Sequence, residues 1–82
     1  MLKQYRDEID KIDEQLFALL NQRFKITKQV GEYKRANNIQ ILNANREGEI
    51  INKISSLDLE HSQHVIEVYK QILKSSRQQQ DE

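Results

Sequence analysis

Apolar residues recur every three or four positions over the first part of the chain, which is the spacing of one face of an α-helix. They are Leu2, Tyr5, Ile9, Ile12, Leu16, Leu19, Ile26, Val30 and Tyr33. The adjacent asparagines Asn37 and Asn38 indicate where this helix ends. The pattern therefore predicts one helix of roughly 35 residues, which would be about 52 Å long at the usual rise per residue.

Two shorter helices are predicted after the long one. A connector over 37–43 leads to a second helix from about Ala44 to Ser55, and a turn over 57–61 leads to the third. The third helix carries an apolar face and then runs into a glutamine-rich end. Its apolar residues are Val65, Ile66, Val68, Tyr69, Ile72 and Leu73. No internal repeat and no linker divides the chain, so the sequence predicts a single all-α domain over residues 1–82 with a three-helix protomer.

The first helix is longer than the domain to which it belongs. A compact domain of this size has a radius of gyration near ~12 Å and a diameter of about 30 Å. The remainder of the chain cannot cover the apolar face of so long a helix, but a second copy can. We therefore expect an intertwined homodimer with the first helix at the interface. Five consecutive apolar residues at 16–20 (LFALL) widen the apolar face and indicate the crossing point.

Composition narrows the possible functions. Thirteen Lys and Arg balance thirteen Asp and Glu, and the net charge of zero argues against binding to nucleic acid or a membrane surface. The absence of cysteine excludes a disulfide-rich secreted protein. No apolar run has the length of a membrane span or signal peptide, so we expect a cytoplasmic protein. His61 and His64 lack a third metal ligand, and no glycine-rich phosphate loop or nucleophile–base set is present. The sequence predicts neither a cofactor nor a metal.

Two cations occupy unexpected positions on the first helix. Arg23 stands where the apolar spacing after Leu19 asks for an aliphatic residue, and a buried guanidinium needs an anionic partner. Lys34 follows three turns later, within about 20° of Arg23 and roughly 16 Å along the axis. The pair would suit a small doubly charged molecule. The ordinary alternatives are an arginine that reaches solvent or pairs with a glutamate of the second copy, and a solvated lysine at a helix end.

Arg6 belongs to the same set only if the protein is a dimer. It precedes Arg23 by about 25 Å along the helix and lies about 100° around it, so one small ligand cannot contact both within one chain. In an antiparallel dimer of first helices, Arg6 of one chain comes beside the 23–34 stretch of the other. The midpoint of that arrangement falls near residue 17, within the widest part of the apolar face.

Polar residues on the other two helices complete the candidate site. Arg46 and Glu47 begin the second helix, where an acidic residue is also ordinary charge complementation of the helix dipole. On the third helix Ser76 and Gln80 extend the face of Ile72 at i+4 and i+8. The alternative for these two is a frayed, solvated end.

Taken together, these residues resemble the all-helical chorismate mutases (type II family). No single segment is specific, but all of them occur in order and with the spacing of the family over essentially the whole chain. They are YRDEIDKID at 5–13, LLNQR at 19–23, VGEYK at 30–34, NRE at 45–47 and ILKSSRQQQ at 72–80. Just before the second helix the family usually has an aspartate, and Asn43 stands there instead. Since asparagine also caps helices, we expect this turn to form.

The resemblance implies conversion of chorismate to prephenate by an intramolecular [3,3] rearrangement, in the biosynthesis of phenylalanine and tyrosine. It implies two equivalent sites, each built from Arg23, Lys34, Arg46, Glu47, Ser76 and Gln80 of one chain and Arg6 of the other. The residues matching Arg6 and Arg23 hold the two substrate carboxylates, with Arg46 close by. Those matching Lys34 and Gln80 bond the ether oxygen, and the one matching Glu47 helps to hold the ring hydroxyl.

Three other functions remain open at this stage. A pyruvate-eliminating lyase acting on isochorismate shares the architecture, although the Arg46–Glu47 pair favours the mutase. A non-catalytic helical regulatory or interaction module would keep the fold without the reaction. A nucleic-acid binder is disfavoured by the balanced charge.

Overall fold

The computed structural model describes residues 1–82 and consists of three α-helices. They are α1 (Leu2–Ala36), α2 (Ala44–Ser56) and α3 (Ser62–Gln80). The prediction of an all-α chain with one very long N-terminal helix is confirmed, and α1 has the expected 35 residues. The third helix continues through the glutamine-rich stretch, so Gln80 belongs to its last turn rather than to a frayed tail.

Asparagines define the connector between α1 and α2. Asn37 caps the end of α1, and Asn38 has a left-handed backbone (φ 55°), a conformation that asparagine tolerates better than most residues. Asn43 then starts α2, because its side-chain oxygen accepts a hydrogen bond of 3.0 Å from the backbone N–H of Arg46. The expectation that asparagine preserves this turn is confirmed.

The three helices form an open arrangement in which α3 is the common partner. It packs against α1 and against α2, whereas the backbones of α1 and α2 remain apart. The protomer measures 54 × 24 × 15 Å, and its radius of gyration of 15.5 Å exceeds the ~12 Å of a compact domain of this size. A gap lined by side chains therefore remains between α1 and α2.

Little of the apolar surface is buried within one protomer. Ile54 and Leu73 are the buried hydrophobic residues, with exposures of 8% and 6%. Most large apolar side chains of α1 remain more than half exposed, including Phe17 at 65% and Leu19 at 60%. None of the three helices combines the length and the apolarity needed to cross a membrane.

Candidate active site

The gap between α1 and α2 is a cavity of about 330 Å³ that α3 also borders. Its volume lies in the range of sites for small molecules. Six of the seven residues predicted for the site line it: Arg23, Lys34, Arg46, Glu47, Ser76 and Gln80. Residues that are far apart in sequence thus meet here because α3 holds both other helices.

Arg23 is held from two sides by residues of α3. Its Nε donates to the hydroxyl of Tyr69 at 2.9 Å, and its Nη1 donates to the hydroxyl of Ser76 at 2.8 Å. The Ser76 hydroxyl in turn donates to the carbonyl of Ile72 at 2.9 Å, which fixes its orientation. The guanidinium carbon also lies 5.4 Å from the centre of the Tyr69 ring. The side chain is thereby oriented while its positive charge meets only neutral groups.

Lys34 is similarly oriented without being neutralised. Its Nζ donates to the backbone carbonyl of Ile41 at 2.7 Å, which ties the last turn of α1 to the connector. No carboxylate lies within ion-pair distance of Lys34 or of Arg23 within the protomer. Because both cations are partly buried and lack a counter-charge, the cavity favours an anionic ligand.

The acidic residue of the site, Glu47, has a cationic partner that the sequence did not indicate. Arg77 of α3 lines the same cavity and donates through one nitrogen, Nη1, to both carboxylate oxygens of Glu47, at 2.5 and 2.6 Å. Arg46 behaves differently, because its Nη1 pairs with Glu49 at 3.4 Å on the exposed side of α2. Arg46 borders the cavity, but its guanidinium is engaged at the surface.

Gln80 is placed by a close approach between α3 and α1. It is 8% exposed, and its Oε1 is buried without a hydrogen-bond partner. Such an atom costs about 1–3 kcal/mol unless a ligand satisfies it. An amide rotated by half a turn would present Nε2 as a donor at the same point. Arg35 fixes the backbone here by donating to the carbonyl of Gln80 at 2.7 Å.

Gly31 makes this approach possible. A Cβ at this position would lie 2.9 Å from Cβ and Cγ of Gln80 and 3.0 Å from its Cα, so the backbone of α3 would have to shift. We expect Gly31→Ala to lower kcat for the rearrangement that the family resemblance implies, because the substitution displaces Gln80. The helix content should be kept or rise. Circular dichroism and a steady-state assay would measure the two effects.

Gly48 offers the matched control for that substitution. Nothing lies within 4 Å of a Cβ built there. Gly48→Ala should stabilise α2 by about 1 kcal/mol and leave turnover unchanged. Equal turnover of the two variants would show that the contact between Gly31 and Gln80 does not matter for the site.

The Tyr69 hydroxyl provides a test of how firmly Arg23 must be held. Tyr69→Phe keeps the ring and removes only the acceptor of the bond from Arg23 Nε. We expect kcat/KM to fall by about threefold to tenfold, as for the loss of one hydrogen bond worth 0.5–1.5 kcal/mol. The control is Tyr33→Phe, whose ring is 64% exposed on α1. An unchanged kcat/KM in Tyr69→Phe would mean that Ser76 and the aromatic ring orient Arg23 without the hydroxyl.

Arg6 lies outside this cavity. It is exposed near the start of α1, about 25 Å along the helix from Arg23, so the protomer by itself does not bring Arg6 to the other six predicted residues. Conversely, two residues that were not predicted take part: Tyr69 contacts Arg23, and Arg77 lines the cavity. Helical spacing contained a signal for Tyr69, which precedes Ser76 by seven residues on the same face, but none for the contact of Arg77 with Glu47.

Fold and site together define a class: an all-α protein with a cavity that three helices border and that several cationic side chains line. The chain belongs to the chorismate mutase type II family, whose model matches residues 5–81. It is 38% identical over 80 residues to a bifunctional chorismate mutase/prephenate dehydratase of Aquifex aeolicus (strain VF5), covering 90% of this chain. The chain spans 22% of the length of that relative. No solved structure was found to match.

Proposed function

We propose that the protein is a chorismate mutase, which rearranges chorismate to prephenate in the biosynthesis of phenylalanine and tyrosine. Membership of the family supports this proposal. The observation that carries it is the presence of two cations, Arg23 and Lys34, which are oriented toward one cavity by neutral groups only. Such a cavity suits a small molecule with two carboxylates, and chorismate has two.

Arg23 would bind one substrate carboxylate. A guanidinium held through Nε and Nη1 keeps a fixed plane, and it retains further N–H donors for a ligand. Binding both carboxylates in fixed positions would hold the flexible enolpyruvyl side chain over the ring. The substrate then loses its conformational freedom when it binds. The activation free energy of the rearrangement falls, because less entropy remains to be lost on the way to the transition state.

Lys34 and Gln80 would act on the ether oxygen. In the rearrangement this carbon–oxygen bond breaks while a carbon–carbon bond forms within the same molecule, so no nucleophile or co-reactant is needed. Negative charge develops on the oxygen as the bond breaks. An ammonium and an amide N–H aimed at that point stabilise the transition state more than the substrate. For this role the Gln80 amide would be rotated so that Nε2 faces the ligand, because the buried Oε1 is an acceptor and cannot bond an ether oxygen.

Glu47, Ser76 and Arg46 would complete the binding of substrate. A carboxylate accepts hydrogen bonds, so Glu47 suits the ring hydroxyl of chorismate. Ser76 acts chiefly through Arg23. Arg46 would approach a substrate carboxylate after leaving Glu49, which it contacts on an exposed surface where such pairs are worth little.

The functional form would be an intertwined homodimer. The extended protomer and the exposed apolar face of α1 support this, because both leave surface that a second copy can cover. In an antiparallel pairing that crosses near residue 17, Arg6 of each chain would reach the cavity of the other and bind the second carboxylate. A cytoplasmic location stays a prediction.

The direct test is to mix the purified protein with chorismate, follow the loss of its ultraviolet absorbance and identify prephenate. Rapid conversion is the expected result. A folded protein that leaves chorismate unchanged above the uncatalysed rate would overturn the proposal. Isochorismate, assayed in parallel for salicylate and pyruvate, separates the mutase from the lyase. A folded chain inert toward both substrates would favour the regulatory module.

A further inference from the structure

Arg77 lines the cavity and is the one cationic residue there that has no role in the proposed mechanism. It lies on α3 between Ser76 and Gln80, one turn beyond the buried Leu73. Its side chain is 34% exposed and that of its partner Glu47 is 25% exposed, so the pair is mostly shielded from solvent. The contact joins the first turn of α2 to the last turns of α3, where both helices line the cavity.

The geometry of the pair differs from that of an ordinary surface ion pair. A single nitrogen, Nη1, contacts both carboxylate oxygens, at 2.5 and 2.6 Å, and this fixes the rotation of the carboxyl group. Each oxygen of a carboxylate has two acceptor positions, so Glu47 can still accept a hydrogen bond from a ligand. The ion pair between Arg46 and Glu49 differs from it. That pair has one nitrogen–oxygen contact, of 3.4 Å, and both side chains are about two-thirds exposed.

The charge of Arg77 matters as much as its position. An unpaired carboxylate beside a dianionic ligand would repel it, and the repulsion is strong where solvent is partly excluded. With Arg77 beside it, Glu47 contributes a hydrogen-bond acceptor without adding net negative charge to the cavity. This combination suits a substrate that carries two carboxylates and a hydroxyl group, on the side that meets the hydroxyl.

We propose that Arg77 is a positioning residue that holds the Glu47 carboxylate toward the cavity, as the acceptor for the hydroxyl group of a dicarboxylate substrate. The inference rests on the proposed function and extends it to a residue outside the predicted site. Arg77 acts through Glu47, so its effect on the reaction depends on the presence of that carboxylate. This dependence separates positioning from direct contact with substrate.

The test is a double-mutant cycle on kcat/KM with Arg77→Met, Glu47→Gln and the double variant. We expect Arg77→Met to lower kcat/KM by about tenfold to hundredfold, the range for loss of a hydrogen bond to a charged group. In the Glu47→Gln background the same substitution should have little further effect. Arg77→Lys keeps the charge but not the guanidinium, and it should restore part of the activity.

The control is Lys74→Met, which removes a positive charge from an exposed position of the same helix. Thermal unfolding of every variant shows whether a loss of activity follows a loss of fold, and Arg77→Lys serves if Arg77→Met unfolds. If the two substitutions lower kcat/KM independently and additively, the inference about Arg77 is overturned while the proposed function stands. The same holds if Arg77→Met lowers the stability of the protein but leaves kcat/KM unchanged. Absence of turnover in the unmodified protein would overturn the proposed function, and this inference with it.

Discussion

Lys34→Ala is expected to lower kcat by about a hundredfold to a thousandfold, the usual effect of removing one preorganised donor from a developing oxyanion. The reason is that the Lys34 ammonium is held by the carbonyl of Ile41 at 2.7 Å and has no carboxylate partner in the protomer. It therefore enters the reaction already oriented, and no ion pair must break first. Initial rates at saturating chorismate would measure the loss.

The specificity of this effect can be checked on the same helix. Lys25 is exposed and lies outside the cavity, so Lys25→Ala should keep normal turnover. Circular dichroism and sedimentation should show that Lys34→Ala retains its helices and its association state. A kcat close to that of the unmodified protein would exclude Lys34 from the chemistry and leave Gln80 as the donor to the ether oxygen.

Mixing two inactive variants is expected to restore activity. Arg6→Ala and Arg23→Ala should each abolish most turnover, because each removes a ligand of one substrate carboxylate from both sites of a dimer. If the chains are unfolded and refolded together, half of the dimers are mixed, and each mixed dimer has one site with both arginines intact. About a quarter of all sites would then be functional in a two-fold symmetric dimer.

The mixing experiment has its control in the separate variants. Each variant refolded alone should stay inactive, and sedimentation should give the mass of two chains. Normal turnover in Arg6→Ala would show that Arg6 has no part in the site. Two inactive variants that form mixed dimers without regaining activity would contradict a site shared between chains.

The two predictions depend on different features of the fold. Lys34 is oriented within one protomer, by the connector that follows its own helix. Arg6 is separated from the cavity by most of the length of α1, and only association can bring it there. The first prediction thus tests preorganisation of a donor, and the second tests the symmetry of the assembly.

The sequence by itself determined the helical architecture. Periodic apolar residues and the asparagines at 37, 38 and 43 predicted three helices, with the end of α1 and the start of α2 as observed. These features are local, since helix period and caps depend on residues a few positions apart. For the same reason the cations Arg23 and Lys34 could be recognised on one face of one helix.

Contacts between helices decided the rest. Ser76 and Gln80 became part of a cavity because α3 continues through its glutamine-rich end and packs against Gly31, a close approach that no local pattern contains. The partner of Glu47 was likewise decided by packing, since Arg77 lies 30 residues away and reaches it only where α3 meets α2. Local sequence determines which face a side chain occupies, but the neighbour across that face depends on how the helices pack.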